Sequence, residues 1–183
     1  MLEKDLQALV DLWRDIRSRS GKIPSRSEFN PMRLRSRLAQ VHLLEFDGPR
    51  TLVYRLSGTS EVERLGEDPK GKDYFTLVDS DASHYLRDNM HSILFYAAGI
   101  LVTTEEVYPS GRITPTRFIA LPLRDEKNAS DQVIAIVTTT DDWRERSLLS
   151  QPPKERPWYD YVISIEPVDL GDGIPPVSVY KTE

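Results

Sequence analysis

Apolar residues near the start of the chain recur at alternating four- and three-residue steps: Leu2, Leu6, Leu9, Trp13 and Ile16. That spacing lays them in one stripe along a helix, predicted over residues 2–18. Gly21 and Pro24 end it, and Pro31, suited to a first helical turn, opens a short second helix through Leu38. The pattern then becomes that of strands. Residues 41–46 and 51–57 flank Asp47-Gly48-Pro49-Arg50, whose Asp-Gly pair favours a tight reversal, so the two are expected to form an antiparallel hairpin. The stretch that follows reads as a short helix over 60–65, turns over 66–72, and a longer helix over 82–98 stopped by Gly99. Strands return at 100–108, 116–123 and 133–140, with 125–131 as the loop between the last two.

The run Val133-Ile134-Ala135-Ile136-Val137 is apolar at every position, which in a strand means that both faces are covered. One face falls to the helices between the strands. The other requires a second cover, and the stripe of the first helix supplies it, either within the chain or from a second subunit. Beyond Asp141, the prolines at 152, 153, 157, 167, 175 and 176 exclude a long helix. Within that tail, residues 159–165 have the composition of one extra strand, suited to a sheet edge. Three parts result: a helix and linker over 1–38, an α+β core over 39–140, and an irregular extension over 141–183.

Composition narrows the chemistry. The 183 residues include no cysteine, so disulfides, thiolate metal sites and cysteine nucleophiles are excluded. The formal charge is -5, which gives the whole no polycationic footprint for nucleic acid or anionic lipid. The charge is unevenly spread. Residues 1–37 carry nine Lys and Arg against five Asp and Glu, a net of +4, which leaves -9 for the remainder. No apolar run reaches the 18 or so residues of a membrane span, and no targeting pattern opens the chain, so the cytoplasm is the expected location.

The order of elements, two strands, a helical crossover and three strands, is that of the Per-Arnt-Sim (PAS) fold. The chain resembles a PAS family, common in alphaproteobacteria, that begins with a helix and a Pro-Ser-Arg linker. The residues carrying the likeness are Leu12-Trp13-Arg14, Pro24-Ser25-Arg26-Ser27-Glu28-Phe29-Asn30-Pro31, Tyr54-Arg55-Leu56-Ser57-Gly58-Thr59, Gly66-Glu67-Asp68 and Gly71-Lys72. It spans about residues 6–140. The resemblance implies a five-stranded antiparallel sheet cupped against short helices, with a small-molecule cavity or its remnant between them. It also implies sensing or interaction rather than catalysis.

Candidate binding residues follow. In Tyr54-Arg55-Leu56-Ser57-Gly58-Thr59, strand alternation puts Tyr54 and Leu56 on one face and Arg55 and Ser57 on the other. One set would line the cavity, and Arg55 would meet an anionic ligand group. The same residues also serve as a turn at Gly58, a helix cap at Thr59 or Ser60, and an internal ion pair for Arg55. Phe75, Tyr85, Met90 and Phe118 complete the expected lining of a cavity of at least about 300 Å³. Asp79-Ser80-Asp81-Ala82-Ser83-His84 departs from a calcium loop and reads as a helix start. His84 and His91 share a helix face but sit among polar neighbours, and His42 reads as a sheet-surface residue, so no metal, haem or other cofactor is expected. The arginines at 14, 17, 19, 26, 33, 35 and 37 form either a phosphate-binding stripe or a set of partners for the chain's own acids.

There is no Gly-x-Ser-x-Gly elbow, phosphate-binding glycine loop or dinucleotide fingerprint. The adjacent acids Glu105-Glu106 and Asp141-Asp142 point to opposite faces of a strand and make poor acid/base pairs. The reading is a sensory module that binds a small apolar or amphipathic ligand and signals through another protein, as a homodimer through the first helix, without nucleic acid or membrane. The alternatives are an adaptor whose cavity is filled by its own side chains and, more distantly, a small enzyme.

Overall fold

The computed structural model describes residues 2–20, 23–139, 158–175 and 180–181. Helix α1 (Lys4–Ser20) is followed by a 3-10 segment (Pro31–Gln40), strands β1 (Val41–Phe46) and β2 (Leu52–Ser57), and helix α2 (Thr59–Leu65). A short 3-10 turn (Tyr74–Thr76) leads to helix α3 (Ser80–Tyr96). Then come β3 (Gly99–Val107), β4 (Ile113–Asp125), β5 (Ser130–Thr139), β6 (Tyr159–Val168) and β7 (Tyr180–Lys181). Every pairing between neighbouring strands is antiparallel, in the order β2-β1-β5-β4-β3-β6-β7.

The sheet is therefore wider than the five strands expected. Part of the extension is not irregular: β6 pairs with β3 along its whole length and covers what would otherwise be an edge. Gly21, Asp141, Asp142 and the prolines at 152, 153, 157 and 176 lie outside the described residues. No helix among the described residues is long and apolar enough to cross a membrane.

Alternation along β5 divides the core in two. Val133, Ala135 and Val137 face the crossover helices, in a cluster with Leu86, Met90 and Ile93 of α3 and with Trp158, Val162 and Ile165 around β6. Ile134 and Ile136 face the opposite way, into a cluster with Leu6, Leu9, Trp13 and Ile16 of α1. The stripe of the first helix thus docks on its own sheet, the intrachain one of the two expected arrangements. Trp13 buries its whole ring and donates Nε1–H to the Pro122 carbonyl at 2.7 Å, which joins apolar burial to a satisfied polar tip.

Local chemistry explains most of the ends. Asp79 caps α3 by accepting from the Ala82 amide at 2.8 Å, and its second oxygen accepts from the Val162 amide at 2.9 Å, pinning the helix to β6. Two expectations fail here. The left-handed residue ending α3 is Ala97, with φ 49°, not Gly99. Gly99 instead opens β3, where a Cβ would stand 2.7 Å from a Leu121 methyl. Helix α2 is capped by Gly58 without a side-chain bond, rather than by Thr59 or Ser60. Gly58 is required by close approach, since a Cβ there would meet the Ala39 carbonyl oxygen at 2.2 Å.

Candidate functional site: the interior cluster and the outer pocket

A break in one ladder reorders the candidate site. Along β1 and β2, His42 faces Ser57, Leu43 faces Leu56 and Leu44 faces Tyr54, so Arg55 is the unpaired residue of a bulge. The bulge cancels the alternation that put Tyr54 and Leu56 on one face. Tyr54 turns inward and is buried, Ser57 reaches His42, and Leu56 turns to the outer face, 46% exposed. Arg55 points to solvent, where its guanidinium donates to Glu45 at 2.8 Å.

Between sheet and crossover, Tyr54, Met90 and Phe118 do line one cavity, together with His42, Tyr74 and Asp160. Phe75 is buried beside it with the Arg87 guanidinium over its ring, and Tyr85 packs on the rim of the core; neither borders the cavity. The expected volume is not met. The void is about 30 Å³, room for one or two waters, because the rings of Tyr54, Tyr74 and Phe118 pack edge to face and fill it.

The cavity wall is charged in a way the pattern of apolar positions did not reveal. Arg64, one turn after Glu61 on α2, bonds both the Glu61 and the Glu106 carboxylates. Tyr108 donates its hydroxyl to Glu106 at 2.7 Å. His42 is buried, not a surface residue of the sheet: its Nε2 lies 3.2 Å from Glu61 and its Nδ1 2.8 Å from the Ser57 hydroxyl. Because an ionised carboxylate only accepts, Nε2 carries a proton toward Glu61. Burial pushes the Glu61 carboxyl up, but His42 and Arg64 outweigh it and hold the group below its ordinary range.

Asp160 comes from β6. It is 5% exposed, its carboxyl faces the Tyr74 hydroxyl, and its Oδ1 completes no hydrogen bond of normal geometry. Burial raises it first; the attraction of Arg64 and the contact with Tyr74 oppose this, and Asp79 and Glu61 add repulsion, so it is pushed up to about 7. Burial, with Asp160 nearby, also raises the Tyr54 and Tyr74 hydroxyls.

The remaining histidines have other duties. His91 stacks on Phe46 at 4.3 Å and places Nε2 2.8 Å from the Pro49 carbonyl oxygen, while His84 is exposed. Among the described residues no three His, Asp or Glu side chains are grouped to hold a metal ion.

The outer face carries a second, larger hollow of about 400 Å³, between the sheet and the linker that precedes β1. Leu56 lies in its wall, separated from Tyr54 by the sheet.

The PAS domain family model matches residues 1–138. The chain belongs to the PAS domain family. No curated protein matches it. PAS domains are typically sensory, non-enzymatic modules, and the inner cavity described above lies between the sheet and the helices of the PAS core. Trp158 and Asp160, which close its wall, come from beyond the matched residues.

Of the polar groups that build the interior, the sequence singled out His42, for the wrong surface, and Glu106, as one of two adjacent acids. A usable signal was present: Glu61 and Arg64 sit three apart on a short helix directly after a strand, so both reach one side. Asp160 had no such signal, because only the long-range pairing of β6 brings it inward.

Proposed function

We propose that the chain is a regulatory PAS module without catalysis of its own, acting through contacts with another protein, its interior filled by its own side chains. The observation carrying this reading is the 30 Å³ interior void, about a tenth of the volume at which small-molecule pockets begin. An interior ligand against Tyr54, Met90 and Phe118 would have to displace packed rings. The Glu61 and Glu106 carboxylates are already paired with Arg64, and a void for one or two waters has no place for a substrate.

On this reading residues 1–38 are the part that covers the outer face, 39–140 the core, and 141–183 an extension whose Trp158 and Asp160 complete the interior wall. If the partner is a second copy, the dimer uses a surface other than the apolar stripe of α1, which the chain's own sheet already covers. The test is crosslinking of the tagged chain in its native host, followed by native mass spectrometry. One protein partner recovered in near-stoichiometric yield is the expected result. A chain recovered alone, carrying a small molecule buried between sheet and helices, would overturn the reading and restore an interior ligand sensor.

A further inference from the structure

Seven arginines stand in the N-terminal helix and linker, at 14, 17, 19, 26, 33, 35 and 37. Most are committed within the chain. Arg17 pairs with Asp172, Arg19 and Arg33 with Asp15, and Arg37 with Asp5, while Arg14 donates to the Asp169 carbonyl at 2.9 Å. Arg26 and Arg35 make no ion pair among the described residues; the one side-chain bond of Arg26 is a long 3.5 Å contact to the Phe29 carbonyl. Both border the outer hollow, and among the described residues no carboxylate does.

Its floor is apolar: Phe29, Val41, Leu43, Leu56 and Ile134. At about 400 Å³ it falls within the range of small-molecule pockets, roughly 300 to 1,000 Å³. The linker forming its wall is bent. Arg35 interrupts the 3-10 segment with φ 55° and ψ -124°, a conformation non-glycine residues rarely adopt. Strain of this kind tends to collect at ligand clamps. Arg26 acts on Asp125 only at a distance, as one of the smaller influences lowering that carboxyl. In a chain of net charge -5, an apolar hollow bordered, among the described residues, by two guanidiniums without an ion pair and by no acid is complementary to one kind of occupant.

We infer that this outer pocket binds a small amphipathic anion, a carboxylate on a short alkyl or aryl tail, with Arg26 and Arg35 taking the head and the Leu43, Leu56 and Ile134 floor taking the tail. The site lies where the linker crosses the sheet, so an occupant there clamps residues 26–39 against β1 and β2. It differs from the interior cavity in position, volume and charge, and it stands whichever protein the module contacts.

The experiment is calorimetric titration of the full chain with octanoate, octanol and octyltrimethylammonium, below their micellar concentrations. Octanoate should bind at least tenfold more tightly than octanol, the cation not measurably, and the affinity should fall with salt. Arg35→Glu, at an exposed position, should weaken octanoate at least tenfold with an unchanged melting temperature. Arg35→Lys should keep most of the binding, and Arg19→Glu, away from the pocket, all of it. Leu56→Asp should abolish it. Equal binding of anion and cation, full affinity in Arg35→Glu, or no binding of any of the three would each overturn the assignment. The last result would leave the groove as a face for a peptide or a second copy. Because purified protein and defined probes are used, the outcome is separable from that of partner capture.

Discussion

The inner and outer faces of the sheet are closed by different means. The inner face is covered by the crossover, whose aromatic rings and ion network leave only 30 Å³. The outer face is covered in two halves. Where α1 crosses, regular helical spacing lets Leu6, Leu9, Trp13 and Ile16 form one buried cluster with Leu101, Ile119, Leu121 and Ile136. Where the linker crosses, the backbone is a 3-10 segment bent at Arg35, and about 400 Å³ remains open. A PAS sheet need not keep its hollow on the crossover side. The irregular cover leaves a hollow, whereas the regular one contributes a continuous buried cluster.

The sharpest way to break this contrast is to strip the regular cover. Leu9→Ala with Trp13→Ala should remove roughly 5 kcal/mol or more, since such truncations of fully buried side chains cost roughly 2 to 5 kcal/mol each. That is comparable with the whole stability of a domain. Urea denaturation should show global unfolding; loss of self-association with an unchanged midpoint would mean that α1 belongs to an interface and not to the core.

Next in size is the interior network. Arg64→Met leaves Glu61 and Glu106 buried without their cation, and breaking a buried pair in this way costs roughly 3 to 5 kcal/mol. Adding Glu61→Gln and Glu106→Gln should restore most of the loss. If the single change shifts the denaturation midpoint no more than an exposed Arg19→Ala control, the network contributes no more than a surface pair.

Asp160 separates the interior from the outer face by pH. Its folded value of about 7 stands above the ordinary 3.8, so between those values the folded protein holds a proton that the unfolded chain has released. Stability from this group is therefore greatest at acid pH, falls as pH rises through that window, and stays reduced above it. Asp160→Asn should stabilise the protein by roughly 1 to 3 kcal/mol at pH 8 and hardly at pH 4. Thermal melts across that range check this. A variant less stable at both ends would mean that the carboxylate is favourably held.

The smallest effect belongs to the linker. Arg35→Gly relieves the left-handed strain at φ 55° and should stabilise by about 1 kcal/mol. It should also leave the interior residues unperturbed in NMR spectra. A loss of stability would mean that the Arg35 side chain holds the linker in place.

The elements themselves were legible in the sequence because they depend on local spacing. The i, i+3, i+4 stripe of α1, the Asp47-Gly48 reversal and the all-apolar run 133–137 each constrain backbone geometry within one turn or one strand. The split of that run between two cores follows from strand alternation alone. The candidate site was legible only in part. Tyr54, Met90 and Phe118 meet in the interior as expected, but one bulge at Arg55 moved Leu56 through the sheet. A one-residue slip reverses every later side chain, and nothing in Tyr54-Arg55-Leu56 marks where the extra residue sits. The inward turn of His42 depended on the ladders of β1 with β2 and β5, and that of Glu106 on those of β3 with β4 and β6.

What the amino-acid order determined by itself was the succession of helices and strands, the absence of thiol chemistry and the basic bias of the first 37 residues. What only the tertiary structure decided was which face each arginine met, that β6 carries Asp160 into the interior, and that a hollow of about 400 Å³ lies under the linker. Those outcomes rest on contacts between residues up to 155 positions apart, such as Arg17 with Asp172. Pairing at that distance is set by the packing of the whole sheet, which no local pattern encodes.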